Sequence, residues 1–320
     1  MNDYRQTYEA RWAGIILGIF RVLPSRFRRG LFLLLGWLFY RLVPRQRLIA
    51  LHNLRMAFPD KRMDEIIGIT RGVYRNVALV AADFFIIPDL TKERIDELIS
   101  VEGLDKYHRA SEKGKGILMF GAHFGNWELG AAAAALLMKP VMVIYRPLDN
   151  KNLDALVNRV RSSTGNTPQP KERAMRSMLR FLKDNGIIGI LIDQNVDWYE
   201  GTFVDFFDRP ACTTDGLALL ALHTGAPVMP VFLVRENGFR YRLIIGDEVE
   251  IIKTGDRDTD VRVNTQNFTR VIEETVRRYP DQWLWIHQRW KTRVSRSPRE
   301  RERQSISKDK RGEEDKYDTR

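Results

Sequence analysis

Cysteine is nearly absent: a single residue, Cys212, occurs in 320. One thiol can form neither an internal disulfide nor a cysteine-based zinc cluster, so the fold requires no oxidising compartment. Long hydrophobic runs are missing too. The two most apolar stretches, residues 12–20 (WAGIILGIF) and 31–40 (LFLLLGWLFY), each fall short of the roughly 20 residues that a spanning helix needs. With 29% charged residues and a mean hydropathy of −0.34, a polytopic membrane protein is excluded. There is no internal repeat, no G-x-S-x-G nucleophile elbow and no H-E-x-x-H zinc motif. Asp3 and Glu9 stand where a secretory signal would carry its basic region, and no small-residue cleavage site follows, so no cleaved signal is expected. What the chain does hold is packing material. Seven Trp, sixteen Phe and ten Tyr within 44% hydrophobic residues exclude a disordered chain and suit one large domain or two small ones.

The formal net charge of +11 points to an acidic partner: nucleic acid, an anionic membrane surface or an acidic carrier protein. Its distribution is uneven. Residues 1–62 hold 12 basic and 3 acidic side chains, a net +9, and residues 291–320 hold 11 and 7, a net +4. The intervening body, 63–290, holds 29 basic and 31 acidic residues, a net −2. The N-terminal excess is interleaved with the two apolar runs, which are separated by a segment carrying Arg21, Arg26, Arg28 and Arg29. Arginines beside apolar, Trp-containing helices suit a segment lying in an anionic membrane interface. A pair of buried core helices is the alternative, but it has no use for basic flanks and interfacial aromatics. The tail is charged and nearly free of aliphatics, which predicts disorder; its positive charge suits docking of an acidic carrier protein. Three parts result: a membrane-anchoring helical segment at 1–45, a catalytic body at 46–293 and a charged disordered tail at 294–320.

Within the body, residues 45–86 read as two helices broken at Pro59. From about residue 100 the texture changes. GILMF (116–120), VMVIY (141–145), IIGILI (187–192) and VMPVFLV (228–234) are apolar runs bounded by Gly, Pro or charge, as buried strands are. Helical patterns at 126–138, about 150–163, 172–184 and 213–224 alternate with them, and another covers 259–279. YRLII (241–245) adds an antiparallel strand. The expected fold is therefore α/β, with a mixed, largely parallel central sheet flanked by helices and an N-terminal helical membrane-associating segment.

Of five histidines, His123 follows a buried strand almost at once, at the carboxyl edge where open α/β sheets place ligands. Glu128 lies five residues on. In one continuous helix the two would sit about 140° apart, but Gly121 and Gly125 permit a tight loop that leaves His123 before the helix and Glu128 in its first turn, where the helix dipole favours a carboxylate. A histidine held by a carboxylate is a general base. The H-x-x-x-x-E spacing alone is equally compatible with a structural histidine at a helix start. A metal site is disfavoured, since no second His lies nearby, and Cys212 has no adjacent His to make it a nucleophile. The base would act on the substrate's own hydroxyl, with backbone amides around Phe124 to Asn126 as candidate oxyanion donors.

These residues carry a resemblance. The H-x-x-x-x-E after a strand resembles the dyad of the lysophospholipid acyltransferase superfamily. NLRMAFP (53–59), HFGNWELG (123–130), YRPLDN (145–150), RSSTG beginning at Arg161, DQN (193–195), FFDRPACTT (206–214), APVMPVF (226–232) and WLWIHQRWKTR (283–293) narrow it to the late acyltransferases of lipid A biosynthesis, the lauroyl/myristoyl acyltransferase family. The likeness runs in order over nearly the whole chain. The F-P-E-G-T-R-S phosphate-binding signature of glycerolipid acyltransferases is absent, which counts against a plain lysophosphatidic acid acceptor. The resemblance implies a glycerol-3-phosphate acyltransferase-like fold at the inner membrane, with the active site on the cytoplasmic side. It implies transfer of an acyl chain from acyl carrier protein, or acyl-CoA, to a hydroxyl of a lipid A precursor, with no metal or other cofactor. His123 would be the base and Glu128 its partner. Arg161 and Asp193 fall on polar positions that organise the site or the sugar-phosphate head group, and Arg146 is an anion contact; a solvated helix or loop arginine is the alternative for both arginines.

Other readings stay open. A sister acceptor would be another glycolipid, such as a phosphatidylinositol mannoside, or a lysophospholipid. A different class is a non-catalytic basic protein binding membrane or nucleic acid through its ends. Against it, the neutral body holds the motifs and no nucleic-acid-binding module is recognisable. Trp283, Trp285 and Trp290 would close the core or form an interfacial belt, with core packing favoured. His52, His108, His223 and His287 have no partner visible in the sequence and read as structural.

Overall fold

The four apolar runs lie at the centre of a seven-stranded sheet in the computed structural model, which describes residues 14, 18–172, 174–236 and 239–294. The strands are β1 (Ile99–Glu102), β2 (Ile117–Gly121), β3 (Val141–Tyr145), β4 (Thr167–Pro170), β5 (Ile187–Leu191), β8 (Val228–Arg235) and β9 (Tyr241–Ile245). Their order is β1-β9-β8-β2-β5-β3-β4. Every neighbouring pair is parallel except β8 with β9, so the sheet is mixed and largely parallel. β2 is buried at all five positions, because helices cover both faces of the sheet at its centre. A separate antiparallel hairpin, β6 (Gly201–Asp205) and β7 (Pro210–Thr214), takes up residues 213–214, which the sequence pattern places in a helix.

Helices α1 (Ser25–Leu42), α2 (Pro44–Ala57) and α3 (Met63–Phe84) precede the sheet, followed by the short α4 (Lys92–Leu98) and α5 (Leu104–Ser111). The crossovers are α6 (Trp127–Leu137), α7 (Lys151–Ser162), α8 (Met175–Lys183) and α9 (Gly216–Thr224), and α10 (Arg257–Arg278) closes the domain. Leu118 and Phe120 of β2 pack on one face with Phe268, Ile272 and Val276 of α10. Met119 faces the other way, toward Ala134 of α6. Small side chains along α6 let that helix approach the sheet closely.

α1 is inverted relative to a soluble amphipathic helix. Arg28 and Arg29 are buried, whereas Phe27, Leu34, Leu35, Trp37 and Leu42 are 46–73% exposed. Both charges inside have partners. Arg28 donates to the carbonyl oxygens of Ala82, Phe20 and Leu23, and Arg29 Nε donates to Asp83 Oδ1 at 2.7 Å. Asp83 is fully buried and also receives Asn126 Nδ2 at 3.2 Å, Arg235 at 3.3 Å and the Tyr241 hydroxyl. It joins α1, α3, β8, β9 and the residue that caps α6. Among the described residues no helix is long and apolar enough to cross a membrane. Most of residues 12–20, and the tail after Val294, lie outside the described residues.

The turn between β2 and α6 depends on Gly125. Its φ is +57°, and a Cβ there would overlap the Leu233 carbonyl oxygen of β8. Asn126 follows as N-cap, its side-chain oxygen accepting from Leu129 N at 3.2 Å. Gly125→Ala is expected to lower unfolding stability by about 2 kcal/mol or more, from backbone strain combined with overlap. Gly114, at φ +65° with nothing within 4 Å of its Cβ position, should accept Asn at a cost below about 1 kcal/mol. Urea unfolding of the two variants checks the contrast, and equal losses would contradict it.

Candidate active site

Strand order builds the site. β2 and β5 are adjacent and parallel, with Gly121 paired to Leu191, and two residues beyond that pair come His123, just after β2, and Asp193, just after β5. Their side chains meet: His123 Nδ1 lies 2.9 Å from Asp193 Oδ1, and the His123 backbone N–H donates to Asp193 Oδ2 at 2.9 Å. A third element completes the cluster, since Trp283 Nε1 donates to Asp193 Oδ2 at 2.8 Å. Trp283 arrives on a segment stitched along the turn: Gly125 N donates to Gln282 O, Leu284 N donates to His123 O, and Phe124 bridges Trp283.

Asp193 is 3% exposed. Burial opposes its charge, but the His123 charge and hydrogen bond and the His123 N–H outweigh that, so its pKa lies well below the usual carboxylate range. An ionised carboxylate only accepts, so Nδ1 of His123 carries the proton and Nε2 keeps its lone pair. Burial also opposes a charge on His123. Asp193 outweighs it through charge and hydrogen bond, the Glu128 charge adds, Arg161 subtracts, and the imidazole pKa lies above its ordinary value.

Glu128 is not the group that holds the imidazole. It lies in the first turn of α6, where Arg161 from the last turn of α7 grips it bidentately, Nε to Oε2 at 2.9 Å and Nη2 to Oε1 at 2.5 Å. The expected His–Glu contact gives way for two reasons. The Nδ1 side is taken by a carboxylate on the neighbouring strand, and the cation of Arg161 is the stronger partner for Glu128. Arg161 in turn stands 5.7 Å from the centre of the Tyr145 ring, and the Tyr145 hydroxyl is fixed by Asn158 and Asp154. Arg146, one residue after β3, is 77% exposed and 3.8 Å from the Asp149 carboxylate.

These groups rim a cavity of about 1000 Å³. His123, Glu128, Arg146 and Arg161 stand at its polar mouth, and Met119, Ala131, Ala134, Val143 and Val231 line its interior between α6 and the sheet. The backbone amides expected to stabilise an oxyanion are spent on the fold: Phe124 N donates to Ala122 O, Gly125 N to Gln282 O and Asn126 N to Leu233 O. Cys212 is fully buried, and burial pushes its thiol up to about 11, which leaves no reactive thiolate.

Three contributors had escaped the sequence. Trp283 and Trp285 are fully buried in the core, as favoured, but Trp283 is also a hydrogen-bond donor to Asp193. His287 does have a partner: burial pushes its pKa down to about 4, and its neutral Nε2 accepts the Asn195 N–H at 3.0 Å. Arg289, 1% exposed, donates to the carbonyls of Cys212 and Gln194. The only signal for these contacts is that DQN and WLWIHQRWKTR are both among the segments that carry the family resemblance, since the contacts span about 90 residues of chain.

Comparison with known proteins identifies the family. The lipid A biosynthesis palmitoleoyltransferase of Escherichia coli (strain K12) is 29% identical over 251 residues, covering 78% of this chain and 80% of the relative. The lipid A biosynthesis lauroyltransferase of the same organism is 27% identical over 296 residues, 91% of this chain and 94% of the relative. A lipid A biosynthesis acyltransferase of Haemophilus influenzae is 27% identical over 295 residues, 88% of each chain. The family profile of bacterial lipid A biosynthesis acyltransferases matches residues 2–292, a span that takes in the β2 turn, the end of β5 and the Trp283 segment, so the chain belongs to that family.

Proposed function

We propose that the protein transfers a fatty acyl chain from a thioester, carried on acyl carrier protein or CoA, to a hydroxyl of a lipid A precursor. The observation that carries this reading is the His123 imidazole. Its Nδ1 is fixed on a buried carboxylate, which leaves the Nε2 lone pair of the neutral ring at the mouth of a cavity that is polar outside and apolar within, in a chain of the lipid A acyltransferase family. A thioester is already activated, so the protein must deprotonate the acceptor, stabilise a tetrahedral oxyanion and align two lipids. The acceptor oxygen forms a bond to the thioester carbon while its proton passes to His123 Nε2 and the carbonyl π pair moves onto oxygen. On collapse the carbonyl re-forms, the C–S bond breaks, and the thiolate takes the proton from His123. Asp193 stabilises the imidazolium between these steps. The Glu128–Arg161 pair and Arg146 present charge to a phosphorylated sugar.

The inverted helix α1 supports work at a membrane surface. Its exposed Phe27, Leu34, Leu35, Trp37 and Leu42 form an apolar face that suits insertion into the interfacial region of an anionic bilayer. That surface is the cytoplasmic side of the inner membrane, where acyl carrier protein is found. Residues 1–45 then serve for attachment and 46–293 for catalysis.

Mass spectrometry of lipid A from a strain lacking this gene should show one acyl chain missing, and an unchanged acylation state would refute the lipid A acceptor. His123→Ala should lower turnover by at least about 100-fold, the low end for general-base catalysis; near-normal transfer would sink the mechanism. The base must be neutral to act, so kcat/KM should rise with pH through the His123 pKa, which lies above about 6.5. Asp193→Asn removes the groups' main attraction for the proton while burial remains. Its residual activity should therefore have an acid limb displaced to lower pH, and an unmoved limb would show that Asp193 does not hold the catalytic imidazole. Glu128→Gln and Arg161→Met should each slow transfer, with losses in the double variant well short of multiplicative. Full multiplication would mean that the pair does not act as a unit.

A further inference from the structure

Asp193, Gln194 and Asn195 are consecutive, yet the fold uses their side chains differently. The Asp193 carboxylate is committed to His123 and Trp283. The Asn195 amide is committed in both senses to Thr292, donating from Nδ2 to Oγ1 at 2.9 Å and accepting the Thr292 N–H at 3.0 Å. Gln194 between them is exposed at the cavity mouth. Among the described residues its amide has one hydrogen-bond partner, His123 Nε2, at 3.4 Å. Its backbone is held from both sides, with the carbonyl accepting from Arg289 and the following N–H donating to His287. An exposed side-chain amide is thus mounted on a clamped backbone and directed at the reacting atom of the base.

In the neutral ring Nε2 has only a lone pair to offer, so the Gln194 group facing it is the NH2 donor. An acceptor hydroxyl must displace that donor to reach the base. The displaced N–H then lies beside the acceptor oxygen, close to the thioester carbon it attacks. The oxyanion forming on that carbon needs a donor, and the three backbone amides of the β2 turn are already engaged. Arg161 reaches the cavity, but its Nε and Nη2 are bound to Glu128.

We propose that Gln194 is a catalytic residue whose side-chain amide guards the His123 lone pair in the free enzyme and, once the acceptor hydroxyl takes its place, donates to the thioester oxygen as that atom becomes the oxyanion. The inference rests on the acyl-transfer reading and assigns that reaction its missing donor. No covalent step is added: Gln194 keeps both protons throughout, and the bonds made and broken are those of the transfer itself.

Gln194→Leu tests this on the full-length enzyme, because an exposed side chain with one hydrogen bond leaves the fold intact on replacement. With acyl carrier protein thioester and a lipid A precursor, kcat should fall about 100- to 1,000-fold while KM for both substrates stays within a few-fold. Gln194→Glu presents an anion to Nε2 and cannot donate, so it should remain equally slow and move the acid limb of the pH profile upward. Unchanged kcat in Gln194→Leu overturns the proposal, and so does a loss confined to KM. NMR titration of the His123 ring supplies a reading independent of substrate. Loss of a donor to the neutral imidazole should raise the His123 pKa in Gln194→Leu, and an unchanged titration removes the contact on which the proposal stands. If the wild type transfers no acyl group while that titration shifts, the acyl-transfer reading fails and the contact survives.

Discussion

A carboxylate buried at the carboxyl edge of the sheet is the constraint around which the site is assembled. Removing Asp193 from water costs several kcal/mol unless donors replace the lost hydration. Two come from His123, its backbone N–H and its imidazole, and the third from the Trp283 indole. The loop after β2, the end of β5 and the segment before the C-terminal tail are therefore obliged to converge. Orientation of the imidazole follows from that convergence. The same satisfied charge that makes the buried carboxylate tolerable fixes the histidine tautomer and leaves Nε2 open to the cavity.

A second buried carboxylate bounds the turn at its other end. Asp83 receives Arg29, Arg235 and Tyr241, and also Nδ2 of Asn126, whose side-chain oxygen caps α6. His123 is thus pinned through Asp193 and Asn126 through Asp83, with Phe124 and the strictly glycine Gly125 between. Glu128 follows within one turn of the capped helix, and its position relative to the imidazole is set by this double anchorage. Breaking either buried pair would leave an uncompensated charge inside the protein, a loss of about 3–5 kcal/mol. The rigidity of the turn is therefore inseparable from the stability of the domain. Arg29 comes from α1, so the helix with the exposed apolar face shares one hydrogen-bonded cluster with the residue that caps α6.

The central strands were legible because burial on both faces makes them continuous apolar runs. β1 and β4 were not: they are short edge strands, and β4 (TPQP) carries two prolines and no aliphatic side chain. The hairpin β6–β7 was hidden in a stretch read as motif and helix start. At the site, His123 and Asp193 stood out, one for its place after a buried strand and the other for that and the family likeness. Their contact did not, because it is created by β5 lying beside β2, across 70 residues of chain. Local spacing offered Glu128 instead, five residues away. Sequence proximity is a poor guide to partnership here, since α6 turns that carboxylate toward α7 and the sheet turns a distant one toward the histidine.

The N-terminal excess of charge is also altered by the fold. Of the arginines between residues 21 and 47, Arg28 and Arg29 are buried, Arg21 pairs with Asp89 and Arg47 donates to Tyr40 O, while Arg26, Arg41 and Arg45 are exposed with no hydrogen-bond or ion-pair partner among the described residues. Three such cations at an anionic surface are worth about 1 kcal/mol each. Phe27, Leu34, Leu35, Trp37, Phe39 and Leu42 on α1 are 39–73% exposed, so burying what is exposed brings about half of the 1.5–3 kcal/mol that a fully exposed side chain would gain, and the six together exceed the electrostatic share. In the proposed attachment, apolar insertion therefore dominates and charge assists. That division explains how a helix can carry so much basic charge yet spend part of it internally: Arg28 and Arg29 hold α1 to the protein, which leaves its opposite, apolar face for the bilayer.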